Sequence, residues 1–434
     1  MLGTRRVRSF VRQLPRIHRF WSTQAKQDPD DSPFETVAIA EANRLVVNSI
    51  KSFGYSDIEA NVMKECMMWA QLRDNNQGII KITSGGVAPG ANTTTPVIEY
   101  DAPTGARVNG NQTMSMVVLE SAVDLAIEKA LNVNVAAVGT FNTAQSCGAL
   151  GYYTEKIAKE GLIGIVMASS PEFVAPFGAK QPIFGTNPIA CGVPTSEGIM
   201  LMDQATAAFP WFGLLEAQTA GRKIPMDVAF DADGKPTDDP SAALKGALRT
   251  FDRGYKSSNL ALMVELLAGP LVGAAHVNKL AAKNWGNLVL AIHPKMMGDA
   301  ETFYRSAGEV LKRVQTAARL PGVDQITLPG QRERKLAMSR LQEGTVPLER
   351  NMLGELRTLA AKYEQSAGGQ QASATTDRQT QLLEQLLQRL DRLEGTVAAT
   401  AKHQEQLSKQ QERLETVTVA SLSSIRQANS FDNK

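Results

Sequence analysis

Val117-Val-Leu-Glu-Ser-Ala-Val-Asp-Leu-Ala-Ile-Glu-Lys-Ala130, followed at once by Val133-Asn-Val-Ala-Ala-Val-Gly139, is the stretch on which the fold turns. The first segment reads as a helix, and the second as a short strand buried on both sides. A helix feeding a buried strand points to an α/β fold. The alternation returns in Tyr152 to Gly161 followed by Leu162 to Ala168, and Leu260 to Ala268 reads as a further apolar helix stopped by Gly269-Pro270. Upstream, Glu35 to Arg73 holds two helical patterns. One puts Ile39, Ala42, Leu45, Val46 and Ile50 on a single face, the other Val62, Cys66, Met67 and Ala70, and both faces are expected in the core.

Composition bounds what surrounds these elements. The 434 residues exceed what one core usually holds, so two folded units, or one large unit with extensions, are expected. A formal net charge of +2 is too near neutral to drive nucleic-acid binding. No apolar run is long enough to span a membrane. The three cysteines, Cys66, Cys147 and Cys191, form no CxxC pair, which argues against a disulfide framework and a zinc site, and no metal is expected.

The two ends differ in character from the middle. Residues 1–27 carry Arg5, Arg6, Arg8, Arg12, Arg16 and Arg19 with Ser9, Ser22 and Thr23, and no acidic residue precedes Asp28. That is the composition of a mitochondrial transit peptide, which addresses the chain to the matrix; the alternative is a basic tail. Residues 28–363 form the globular part, and 364–381, with Gln365-Ser-Ala-Gly-Gly-Gln-Gln-Ala-Ser-Ala-Thr-Thr376, read as a flexible linker. From 382 to 420 the residues Leu383, Leu386, Leu390, Leu393, Val397, Leu407 and Leu414 mark a heptad seam in which Thr400, Gln404 and Gln411 fill polar positions. A coiled coil is expected there, available to a second copy or to another protein; a single helix docking on its own domain is the alternative. Residues 421–434 are a tail.

Chemistry is written most densely in Val174-Ala-Pro-Phe-Gly-Ala-Lys-Gln-Pro-Ile-Phe-Gly-Thr-Asn-Pro-Ile-Ala190. Its glycines let backbone approach a ligand, and Thr186 and Asn187 add directional hydrogen bonds, so it reads as a loop that grips a polar group or as an ordinary turn. No GxGxxG, GxxxxGK[ST] or HExxH occurs, so a bound nucleotide is not held by an ordinary Rossmann fingerprint. Of four histidines, only His276 and His293 lie in the globular part, which leaves histidine chemistry few carriers.

Five segments in order resemble the type 2 malate/L-lactate dehydrogenases, which are NAD(P)-dependent and unrelated to Rossmann enzymes. The family includes ureidoglycolate dehydrogenase and 2,3-diketogulonate reductase. The segments are the 174–190 loop with Gly185-Thr-Asn-Pro188; Asp203-Gln-Ala-Thr206; Ile224-Pro225 with Asp231-Ala-Asp-Gly-Lys-Pro-Thr-Asp-Asp-Pro240; Gly254-Tyr-Lys256; and Leu328-Pro-Gly-Gln-Arg-Glu333. The resemblance spans about Thr36 to Tyr363. It implies a non-Rossmann, layered α/β dehydrogenase-like fold, here with a C-terminal coiled-coil extension, and a homodimer or higher homo-oligomer whose active site lies in an inter-domain cleft. It implies that Ser170, Gly185, Thr186, Asn187, Asp203, Ala205, Thr206, Lys256, Pro329 and Gly330 surround NAD or NADP, with a 2-oxo or 2-hydroxy acid as substrate. Lys256 otherwise reads as an exposed lysine, and Asp203 as a helix cap.

Departures from the family pattern bear on mechanism. The family's Ser-His-Gly segment, whose histidine is its acid/base, corresponds to Arg73-Asp-Asn-Asn-Gln-Gly78, so Gln77 stands in the histidine's place. A second segment, Asn-Ser-x-His-Phe-Gly in the family, reads Thr143-Ala-Gln-Ser-Cys-Gly148, with Ser146 for its histidine. Lys81 stands where the family has an arginine thought to meet the substrate carboxylate. Lys81 would bind an acid or, if desolvated, donate a proton; the alternative is a surface lysine on a strand. Losing positioned acid/base help costs about 10² to 10⁴-fold in rate. Two functions are therefore expected to compete: a mitochondrial oxidoreductase whose proton donor is Lys81 or a water held by Gln77, and a pseudoenzyme kept as a binding or scaffold subunit assembled through its coiled coil.

Overall fold

Hydrophobic patterning closes a mixed sheet between helices in the computed structural model, which describes residues 32–90, 92–219 and 221–367. The expected transit peptide, coiled coil and tail, and most of the linker, lie outside the described residues. The chain opens with β1 (Phe34–Ala38), α1 (Ile39–Lys51) and α2 (Asp57–Gln71). In α2 the Ser56 side chain accepts from the Glu59 N–H while the Glu59 carboxylate accepts from the Ser56 N–H, a capping box that fixes where the helix begins. Ala42, Leu45, Val46, Ile50, Cys66, Met67 and Ala70 are buried, as their spacing predicts.

A one-turn helix, α3 (Ile80–Thr83), precedes the hairpin of β2 (Val97–Ala102) and β3 (Gly105–Asn109). Next come α4 (Ser115–Val133), β4 (Val135–Thr143), α5 (Leu150–Lys159) and β5 (Ile163–Ala168), each within a few residues of its expected span. The chain continues through β6 (Ile189–Thr195), β7 (Gly198–Gln204), α6 (Trp211–Thr219), β8 (Ala229–Phe230), α7 (Pro240–Lys245), β9 (Ala247–Leu248) and α8 (Tyr255–Ala268). It finishes with α9 (Lys279–Ala282), β10 (Trp285–Ile292), α10 (Ala300–Gln315), α11 (Gln331–Glu343), β11 (Thr345–Glu349) and α12 (Arg350–Ala367). The last helix runs past Tyr363 and takes up residues 364–367 of the expected linker.

The sheet order is β2-β3-β4-β10-β5-β6-β7, and of its neighbouring pairs only β3 and β4 run parallel. Helix–strand alternation usually builds a parallel sheet. Here β10, arriving late in the chain, inserts antiparallel between β4 and β5 and separates them. A register shift at Trp285/Asn287 lies opposite the end of β4, where the chain leaves for the 143–148 segment. The main core lies where α1, α2, α4 and α5 meet the sheet, and a second apolar cluster gathers Val174, Phe184, Ala207, Leu214, Ile224, Val228, Leu248 and Ala261. The candidate site lies among the loops that link these two cores.

Candidate active site

Behind α2 the chain turns sharply through residues 73–79 and is held from several sides. The Arg73 guanidinium lies 4.0 Å from the Trp69 ring centroid and donates to Glu155 at 3.2 Å. Arg340 of α11 donates to the Gln71 carbonyl at 2.9 Å and to Asp74 at 2.6 Å. Asp74 sits at φ 53°, a left-handed conformation that costs a non-glycine residue energy and often marks functional loops. Gln77, half-buried, donates from its side-chain amide to Asn76 at 3.2 Å, and its N–H donates to Asn75 Oδ1 at 3.0 Å. The Gln77 amide is therefore tied into its own turn.

Lys81 is neither on a strand nor at the surface. It sits in α3, its residue exposure is 0 %, and its ammonium has no hydrogen-bond partner among the described residues. Instead the Nζ lies 3.8 Å from the centroid of the Phe212 ring, which α6 contributes. Burial drives its pKa down from 10.5 to about 8, against a weaker upward pull from Cys147 and Cys66. Those thiols are held neutral: burial raises buried Cys66 to about 12 and the thiol of half-buried Cys147 to about 11.

The 142–148 segment supplies the next wall. Asn142 at φ 53°, Gln145 at φ 62° and Gly148 at φ 76° all adopt the left-handed region. At Gly148 a Cβ would strike Cys66 Sγ, so only glycine closes this loop onto α2. Ser146 accepts from the Gly148 N–H at 3.1 Å and so is spent on the local turn.

The 174–190 loop forms one hydrogen-bonded unit with its neighbours. Ser170 Oγ accepts from the Thr186 N–H at 3.0 Å, and the Thr186 carbonyl accepts from the Thr206 N–H at 2.9 Å and hydroxyl at 3.0 Å. A Cβ on Gly185 would collide with Ser170 Oγ and lie 2.7 Å from Asn187 Oδ1. Asn187, at φ 40°, is fully buried and turns its amide inward. Its Nδ2 donates to the Ala261 carbonyl at 2.9 Å and to Glu265 Oε2 at 2.8 Å, while Oδ1 has no partner among the described residues. Glu265 Oε1 in turn accepts from Lys279 Nζ at 2.7 Å, and the Lys279 N–H donates to Glu172. Asn187 thus anchors the loop from behind.

Asp203, at the end of β7, accepts from the Gly151 N–H at 2.9 Å, capping α5 from a neighbouring strand. Burial raises its pKa from 3.8 to about 6, opposed by that hydrogen bond. Gly330, at φ 76°, packs so closely on β7 that a Cβ would lie 2.7 Å from the Leu201 carbonyl oxygen, which brings Pro329 and Gly330 beside the strand that carries Asp203. Ala205 is half-buried beside buried Thr206. Lys256 is exposed on the first turn of α8, the helix whose Ala261 and Glu265 hold Asn187.

The structure therefore gathers Ser170, Gly185, Thr186, Asn187 and Thr206 in one unit, with Asp203, Pro329 and Gly330 along β7. Among the described residues no cluster of histidine, cysteine, aspartate and glutamate has metal-binding geometry, and no helix is long and apolar enough to cross a membrane. Sequence reading missed Phe212, Glu265 and Lys279. Cys147 was legible only as the neighbour of Ser146.

A family model for malate/L-lactate dehydrogenase matches residues 37–357. A malate/(S)-sulfolactate dehydrogenase from Methanothermus fervidus is 33% identical over 332 residues, covering 74% of this chain and 96% of the relative. A Delta(1)-pyrroline-2-carboxylate reductase from Pseudomonas fluorescens is 30% identical over 348 residues, covering 76% and 99%. The solved sulfolactate dehydrogenase of Methanocaldococcus jannaschii superimposes with a TM-score of 0.66 at 29% identity, over 76% of this chain and 98% of that one.

Proposed function

Because the chain belongs to the malate/L-lactate dehydrogenase family, we propose that it is an oxidoreductase acting with NAD or NADP on a small 2-oxo or 2-hydroxy acid. The observation that carries this reading is Lys81: a fully buried amine without a hydrogen-bond partner, set beside neutral thiols where the family holds an arginine. An unmatched buried cationic group is costly, and an acid's carboxylate supplies the missing partner.

The residues fit a nicotinamide dinucleotide. Gly185 and Gly330 keep side chains away from two close approaches, and Ser170, Thr186, Ala205 and Thr206 are small or polar around them. Pro329 would close the site, and Lys256 offers an exposed point charge for a phosphate. Asn187 and Asp203 hold this scaffold from behind through Glu265 and Gly151. When bound, the cofactor supplies or accepts the hydride. The chain's own task is to hold the acid and move the proton. Gln77 donates a hydrogen bond but has no titrating proton, whereas Lys81 at about 8 and Asp203 at about 6 bracket neutrality. Lys81 orients the carboxylate or hands its proton to the developing alkoxide.

A second reading, a pseudoenzyme, is favoured by Gln77 and Ser146 both being spent on local turns. Fluorescence titration with NADH and NADPH, followed by a panel of 2-oxo acids, separates the two. Cofactor binding with turnover supports the oxidoreductase; no binding sinks it. Binding without turnover, with activity appearing in Gln77→His, favours the silenced site. Residues 1–27 support a mitochondrial matrix address, which imaging of a tagged chain tests. Exposed Leu262, Met263 and Leu266 on α8, followed by Leu271, Val277 and Leu280, support a homo-oligomer. Mass in solution tests that, and removing residues 366–434 tests whether the expected coiled coil adds to it.

A further inference from the structure

Lys81 differs from an arginine in more than charge. A guanidinium stays protonated and does not add to carbonyls, whereas a desolvated lysine amine is a nucleophile that forms imines. The surroundings of Lys81 favour the neutral amine. One side is covered by the Phe212 ring face, and the groups that couple to it electrostatically are the Cys147 and Cys66 thiols, both held protonated by burial. Among the described residues no hydrogen-bond acceptor meets its Nζ to hold an ammonium in place. With its pKa near 8, Lys81 at neutral pH carries on the order of a hundredfold more free amine than an ordinary exposed lysine.

We propose that Lys81 is a carbonyl-reactive amine that captures small 2-oxo acids as an imine, with no cofactor taking part. The Nζ lone pair adds to the carbonyl carbon of the acid, which reaches it by displacing the Phe212 ring. The carbonyl oxygen leaves as water, and both hydrogens of that water come from the amine. Electrons and atoms balance without an oxidant or reductant. The inference rests on the reading that a 2-oxo acid reaches Lys81, but its chemistry is separate from hydride transfer: an acid held as an imine is withdrawn from the carbonyl pool that the oxidoreductase would reduce.

The test is trapping. The full chain is incubated with pyruvate and cyanoborohydride, without any nicotinamide, then digested and mapped by mass. A single reduced pyruvate unit is expected on the peptide holding Lys81, at roughly a hundredfold the yield on exposed lysines such as Lys256. Lys81→Arg, checked for folding by its thermal melt, is expected to lose it. Labelling spread evenly over exposed lysines, or no label on Lys81, overturns the proposal, and the wild-type map alone decides this if the variant fails to fold. Pyruvate-dependent NADH oxidation with no adduct on Lys81 sinks the imine and leaves the oxidoreductase standing. An adduct without nicotinamide binding does the reverse.

Discussion

Two lysines of this unit have exposures of 0 %, and their surroundings are opposite. Lys279 has a counter-charge: Glu265 at 2.7 Å, and through that carboxylate it is linked to the Asn187 amide that anchors the 174–190 loop. Lys81 has an aromatic face and two neutral thiols. Equal burial therefore carries opposite meaning. The first lysine closes a structural network; the second keeps an unmet bonding capacity that a ligand completes. Buried ion pairs are weak contributors to net stability compared with apolar packing, so the Lys279–Glu265 pair is best understood as fixing a position.

The largest effect that would break the comparison comes from the paired side. Glu265→Gln leaves Lys279 buried without its counter-charge and loosens Asn187, and is expected to cost about 3–5 kcal/mol in urea unfolding. A cost under about 1 kcal/mol would mean the network does not set the loop.

The contrast also measures how far sequence reading went. The helices α1, α2, α4 and α5 were legible because apolar spacing over ten or more residues is set by local geometry, and β4 and β5 as short apolar runs after two of them, whereas the single turn of α3 was not. The antiparallel placement of β10 was not, since pairing between Trp285–Ile292 and strands more than a hundred residues earlier leaves no local signal. The loop motifs around Gly185, Asp203 and Gly330 were legible as motifs, yet not which atoms face inward. Asn187 reads as a ligand donor in sequence and is a buried anchor in space. Lys81 was legible only as a departure; its burial depends on Phe212, more than a hundred positions away.

The next effect sharpens the comparison through pH. The folded-state pKa of Lys81 lies below its unfolded value, so between about pH 8 and pH 10.5 the unfolded chain binds the extra proton and stability rises with pH. The difference in pH dependence between wild type and Lys81→Met is expected to reach about 2 kcal/mol, as read from denaturation midpoints at pH 7.5 and 10. Cys66 and Cys147, raised by burial, act in the opposite sense as pH passes the ordinary thiol value, and appear in both proteins. Equal pH slopes in wild type and variant would show that Lys81 is not desolvated in solution.

The smallest effect concerns an exposed lysine as the reference. Lys256→Ala is expected to change stability by less than about 0.5 kcal/mol, while raising the KM for the nicotinamide cofactor several-fold and leaving kcat for the 2-oxo acid nearly unchanged. A fall in kcat with unchanged cofactor KM would move Lys256 from cofactor binding to the chemistry.

The most direct measurement is the pH dependence of kcat/KM for NAD(P)H-driven reduction of the best 2-oxo acid, in wild type and in Lys81→Met. Wild-type activity is expected to fall as pH rises through about 8, and the variant to lose about 10² to 10⁴-fold at neutral pH together with that limb. A variant as active as wild type with the same profile would contradict the assignment of Lys81 to the site.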